Sequence, residues 1–287
     1  MKLQVMAIYT STEKGSTELA AKQSLNFKNI ITNYHDQITI AKETNLFNTV
    51  TKSPKLGIIA AIENASGFCE EDEPLENGFK KLENIIHNTE RILYIGLTHH
   101  GENRFGGGNS TKTGLKEDGK SLLNYISGKK IAIDFSHTSD VLAFDVFDYL
   151  SKFNLDIPVI ASHSNFREIF NHPRNLPDEI AKEIIKRKGL IGINFLRAFL
   201  NDNNPNAIYD HILYGLNMGA HSICFGADYF YTDSHPDQSR KPFFFKEHEN
   251  ASCYPLILKG LSGKIPPDVL EAISNKNVIN FIERIYS

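Results

Sequence analysis

The chain has 287 residues, 31 of them basic and 34 acidic, a formal net charge of −3 and 41% apolar residues. That length is large for an ordinary domain and normal for one α/β barrel, and it is enough to bury a sizeable core. The composition offers no basic patch for nucleic acid, no charge run for a disordered tail, no apolar run near the roughly 18 residues of a membrane span, and, in its three cysteines, no disulfide framework.

In chain order, a continuous apolar run LQVMAIY (3–9) reads as a strand buried on both faces, and LGIIAAI (56–62) as another. A helical pattern follows at 75–88, then strand ILYIGL (92–97), a helix at 119–126 and strand KIAIDF (130–135). A helix at 139–153 leads to strand IPVIA (157–161), a helix at 177–187 to strand LIGINF (190–195), and a helix at 207–218 to strand SICFGA (222–227). Residues 228–262 form a long aromatic loop, the kind that carries function or short elements of its own, and the remainder reads as two helices. Strands alternating with helices imply right-handed βα units, and the absence of a linker implies one domain over 1–287. There are seven strand signals, whereas a closed (β/α)8 barrel of the TIM type takes eight. One strand is expected to be missing from this chain.

Polar chemistry follows the strands. Glu63 closes 56–62; Thr98, His99 and His100 follow 92–97; Ser136 and His137 follow 130–135; Ser162 and His163 follow 157–161; Asp228 follows 222–227. In a (β/α) barrel the C-terminal strand ends carry the active site. Imidazole and carboxylate there are the ligands zinc prefers. Taken singly, Glu63 also reads as a solvated loop carboxylate, Asp228 as a turn cap and Arg174 as a surface charge. His35, His87, His211, His221, His235 and His248 receive no role, and Cys224 reads as core. GENRFGGGN (101–109) lacks the phosphate-loop pattern and reads as a flexible loop.

The stretches IDFSHTSD (133–140) and ASHSNFREIFNHPRNLPD (161–178) resemble the membrane dipeptidase (renal dipeptidase) family. QVMAIYT, AIENASGF, YIGLTHHGEN, GLIGINF, FGADY and NVINFIERI resemble further family segments in the same order, so that the likeness covers nearly the whole chain. It implies an amidohydrolase-like barrel and a zinc-dependent dipeptidase acting through a metal-bound hydroxide, on dipeptides that include those with a C-terminal D-residue. On that resemblance Glu63 bridges two zinc ions, and His137 and His163 complete the second metal site. His99 contacts the scissile carbonyl, Arg174 holds the substrate carboxylate, and Asp228 serves the substrate amine or the proton transfer. Ser136 and Asn165 are orienting neighbours.

The family's opening strand ends in His-x-Asp, which supplies two ligands of the first zinc. No such pair stands near the start here, and His35–Asp36 is adjacent rather than spaced, in what reads as a helix. Three explanations stay open: a start that lies too late, a lost segment, or a three-ligand site of Glu63, His137 and His163 with weaker or different chemistry. The expectations are therefore a zinc dipeptidase with one site incomplete, a catalytically silent binding relative, or another amidohydrolase-type hydrolase. Its partner is a dipeptide substrate, with no nucleic acid, no membrane segment and a possible homodimer. With no signal peptide and no paired cysteines, the expected location is cytoplasmic.

Overall fold

Unbroken apolar runs cannot alternate between core and solvent, so they form short parallel strands covered by helices. The computed structural model describes residues 2–41, 50 and 52–287, which fall into two compact units: Met1–Val159 with Ile282–Ser287, and Ile160–Phe281.

The first unit opens with β1 (Leu3–Ile8), helix α1 (Ser16–Asn33), β2 (Ile38–Ile40) and β3 (Leu56–Ile62). Next come α2 (Leu75–Thr89), β4 (Ile92–Gly96), a hairpin of β5 (Glu102–Asn103) and β6 (Gly106–Gly107), α3 (Glu117–Ile126), β7 (Ala132–Asp134) and α4 (Asp140–Lys152). β3 pairs in parallel with β1 from Leu3↔Gly57 to Ile8↔Ile62. It pairs with β4 at Ala60↔Ile92 and Ile62↔Ile95, with a register shift between them. β4 pairs with β7 from Tyr94↔Ala132 to Gly96↔Asp134. The helices bury one stripe each; in α4 it is Leu142, Ala143, Val146, Phe147 and Leu150, at helical spacing. Ser139 caps α4 by accepting from the Leu142 N–H at 3.0 Å.

Two expectations need correction. The seven strand signals miss β2, whose three residues Ile-Thr-Ile pair in parallel with Leu56–Ile58 but are too few for a periodic signal. His35 and Asp36 lie in the turn between α1 and β2, because α1 ends at Asn33.

The second unit takes in β8 (Val159–Ala161) from Ile160 onward, then α5 (Asp178–Lys186), β9 (Leu190–Ile193), α6 (Arg197–Leu200), α7 (Ala207–Gly219) and β10 (Ile223–Phe225). β9 pairs in parallel with β8 at Ile160↔Leu190 and Ala161↔Ile191, and with β10 from Ile191↔Ile223 to Ile193↔Phe225. Residues 228–262 hold four single 3₁₀ turns and then α8 (Tyr254–Leu261), so the long aromatic stretch does carry short elements. The chain closes with α9 (Pro267–Glu271), one wide π turn (Ala272–Lys276) and α10 (Asn277–Tyr286). All three cysteines are buried free thiols. Burial pushes Cys69 up to about 11 and Cys224 up to about 12, and also raises Cys253. Among the described residues no helix is long and apolar enough to cross a membrane.

Candidate active site

In the first unit the strand registers bring three of the expected residues to one edge. Glu63 is the residue after β3, and its N–H donates to Ile8 O at 3.0 Å. His99 and His137 follow the ends of β4 and β7. Glu63 Oε1 lies 3.2 Å from His137 Nε2 and 3.8 Å from His99 Nε2. Glu63 is therefore no solvated loop carboxylate: its side chain is 14% exposed. Gly96 makes the approach feasible, since a Cβ there would sit 2.3 Å from Glu63 O.

His137 takes a left-handed backbone, φ 70°, which is uncommon for a side chain with a Cβ. Its carbonyl accepts from Asn109 N–H at 2.8 Å and from Thr98 Oγ1 at 3.2 Å. Its Nδ1 donates to Asn109 Oδ1 at 3.2 Å, and His100 Nδ1 donates to the same oxygen at 3.1 Å. A neutral imidazole protonated at Nδ1 carries its lone pair on Nε2, the atom that points at Glu63 in His137. The ring of His99 lies 4.0 Å from His100 and 4.2 Å from His137 between centroids, with Tyr9 on its other side at 4.8 Å. Burial, followed by the charge of Glu63, raises the Tyr9 phenol above its ordinary value, so it stays protonated beside His99.

The glycine-rich stretch 101–109 is not the flexible loop expected from its composition. It folds back as the β5–β6 hairpin, and the buried Asn103 side chain donates to Leu97 O at 2.8 Å and to Asn64 Oδ1 at 3.1 Å. Gly108 packs so closely that a Cβ would lie 2.0 Å from His99 O. The run of glycines serves close backbone packing beneath the imidazoles.

The second unit gathers the remaining expected residues. His163, buried, has its Nδ1 2.6 Å from Ser162 Oγ. Arg174 is 3% exposed and so no surface charge; its Nη1 donates to Ser164 Oγ and its Nη2 to His163 O, both at 2.9 Å. Asp228 also has a left-handed backbone, φ 61°, and its Oδ2 accepts from Asn194 Nδ2 at 3.0 Å. Asn194 Nδ2 also reaches His163 O at 3.2 Å, and Asn194 N–H donates to Asn165 Oδ1 at 3.0 Å. Asn165, expected as an orienting neighbour, is thus bonded to the backbone of Asn194, a residue which the sequence did not single out. Ser136, in the first unit and also expected to orient, donates its N–H to Asp134 Oδ1 at 3.0 Å. Burial, aided by the Arg174 charge, lowers the pKa of His172. Cys224 is core, as read from the sequence.

The family model of the membrane dipeptidases (Peptidase family M19) matches residues 1–285. The chain belongs to this family. An uncharacterised protein encoded in the PQQ-III 3′ region of Acinetobacter calcoaceticus is 26% identical over 204 residues, 67% of this chain and 61% of that protein. The chain thus spans less than two thirds of that relative's length. Among solved structures, an amidohydrolase from Pseudomonas aeruginosa superimposes with a TM-score of 0.81 at 16% identity, covering 100% of this chain and 89% of that one. A metallopeptidase from Rhodobacter sphaeroides, liganded with a phosphinate mimic of the dipeptide L-Ala-D-Ala, gives 0.78 at 17% identity, covering 98% and 76%. These likenesses identify the fold as an α/β barrel of the amidohydrolase and dipeptidase type.

The donors present in the first unit fit a divalent ion. One ligand atom from each of His99, His100 and His137 lies within 4.8 Å of the others, and Glu63 adds a carboxylate against two of these rings. Imidazole nitrogen with carboxylate oxygen is a zinc-type donor set.

Proposed function

We propose that the chain hydrolyses dipeptides with the help of a divalent metal, zinc being the first choice, held by Glu63, His137 and His163. The observation that carries this reading is the contact of Glu63 Oε1 with His137 Nε2, made while Asn109 takes the opposite ring nitrogen. Such an ion, when bound, supplies a Lewis acid and lowers the pKa of a coordinated water to near 7.

The chain's own residues bind and orient the substrate. His99, half-buried beside Glu63, is placed to hydrogen-bond the scissile carbonyl. Arg174, held by Ser164 Oγ and His163 O, offers a planar guanidinium suited to the substrate's carboxylate. Asp228, turned by its left-handed backbone and held by Asn194, receives the substrate ammonium or the proton released to the leaving amine. Within the second unit the buried amides of Asn165 and Asn194 hold Asp228 and the His163 carbonyl in place.

The resemblance and the phosphinate-bound structural relative make L-Ala-D-Ala the first substrate to test. Zinc-supplemented hydrolysis of L-Ala-D-Ala and L-Ala-L-Ala should exceed that of the His163→Ala variant by at least about 100-fold. Equal turnover in both proteins would defeat the reading. Intact folding with neither metal uptake nor turnover would favour a silent binding relative. Activity unaffected by Arg174→Ala would point to a different class of hydrolase.

A further inference from the structure

We infer that His99, His100 and His137 together form a three-imidazole cation site contained within the first unit, with Glu63 as its anionic neighbour. This deepens the reading above and rests on its placing of a divalent ion against Glu63 and His137. It differs by making His100, which the resemblance leaves without a role, a ligand, and by giving His99 a metal-binding part besides its part in substrate contact.

Three observations converge. One ligand atom from each ring lies within 4.8 Å of the other two, and the ring centroids stand 4.0 to 5.0 Å apart. Three imidazoles that close share a tetrahedral ion with little movement, because ligand nitrogens about 2 Å from zinc stand roughly 3.3 Å from one another. The tautomers agree as well. One amide oxygen, Asn109 Oδ1, accepts from Nδ1 of both His100 and His137, which puts the lone pair of each ring on Nε2. A hydrogen-bond acceptor behind each ring is what orients metal-binding histidines generally. The charge balance also agrees: three neutral imidazoles and one carboxylate leave a divalent cation with a net charge of +1 and room for a further ligand. The main chain holds the cluster in place. His100 O accepts from Ser110 Oγ and from Ser110 N–H, the latter at 3.0 Å, and Gly108 brings the hairpin against His99 O. The exposed edge of His100 gives an ion its way in.

Cobalt(II) reports the ligand set directly through its visible absorption. Full-length protein freed of metal should bind Co2+ with an intense visible band of tetrahedral type. His100→Ala should weaken that affinity at least tenfold and move the band, and its thermal midpoint should stay at that of the wild type, since His100 lies at the surface. His163→Ala should keep the His100-dependent band. Wild-type affinity and spectrum in His100→Ala would overturn the inference, as would failure of the wild-type protein to take up Co2+. Dipeptide turnover measured on the same samples separates the two readings. A His100-dependent band without turnover sinks the peptidase reading and keeps the site. Turnover that needs His163 but not His100 does the reverse.

Discussion

The two units solve the same placement problem with different chemistry. In each, a parallel strand ends in a glycine or is followed by one, and that glycine lets a neighbouring strand's exit pass close by. Gly96 does this for Glu63 O in the first unit, and Gly192 and Gly226 do it for Ser162 O in the second, where a Cβ would come within 2.1 and 2.0 Å. In each, a non-glycine residue after a strand sits at positive φ: His137 at 70° and Asp228 at 61°. Such a pose costs roughly 1–2 kcal/mol and persists because local hydrogen bonds over-determine it. The contents then diverge. The first unit presents a carboxylate and imidazoles, donors of the kind that suit a cation. The second presents a guanidinium, a carboxylate and buried amides, groups that suit the two charged ends of a short peptide, beside one strand-end imidazole, His163. The difference teaches that one strand-end geometry can present either metal-type donors or groups for polar recognition, according to the two or three residues that follow the strand.

The largest effect that would break this comparison is expected from Glu63→Gln. The amide keeps the shape and removes the charge, so dipeptide kcat/KM should fall by roughly 10²–10³-fold, with Co2+ affinity reduced in parallel. A variant with full activity would remove the first unit from the chemistry.

The second unit should carry the acid sensitivity. His211 is buried: its Nδ1 accepts from Phe166 N–H at 3.3 Å, and its Nε2 lies 3.1 Å from Leu200 O. Burial holds its pKa down to about 4 from an ordinary 6.5. Below pH 6.5 the unfolded chain takes up a proton that the folded chain refuses until about pH 4, so stability is lost as pH falls through that window. The loss reaches about 3 kcal/mol by pH 4. Urea titrations followed by circular dichroism should show it, and His211→Gln, which keeps an acceptor and a donor, should flatten the slope.

Arg174→Lys sharpens the assignment of recognition to the second unit. The lysine keeps the charge and loses the fork, so KM should rise about 10- to 100-fold with kcat less affected. If metal content falls in step, Arg174 acts chiefly as the brace of His163 O.

Asn109→Ala should give the smallest change. Co2+ affinity should weaken by about tenfold, in the range for residues that orient ligands, and long-range ¹H–¹⁵N spectra should show His137 as a mixture of tautomers. Asn109→Asp, which keeps an acceptor, should restore the single tautomer.

Much of this was legible beforehand. Six of the seven strand signals were plain because buried parallel strands are apolar without interruption, and Glu63, His137, His163 and Asp228 stood out by following strands; β1, read as buried on both faces, is instead half-exposed, with only Ile8 buried. β2 was not legible, because Ile-Thr-Ile is shorter than any period. Asn109 was hidden because a glycine run announces a turn without saying where the turn returns; its partner His137 lies 28 residues away. Asn194 was hidden for a like reason: a strand-end amide carries no signal until its partner, Asp228, is beside it. The proximity of His100 to His137 depends on side-chain direction in a loop, which no spacing rule supplies.

The buried thiols have a practical consequence. With Cys69, Cys224 and Cys253 all buried and weakly acidic, the described surface presents no reactive thiol. A single cysteine introduced at the well-exposed Tyr231 would then accept a maleimide-linked fluorophore without prior removal of the native thiols. The aromatic segment that begins at Asp228 would thereby become open to direct optical observation.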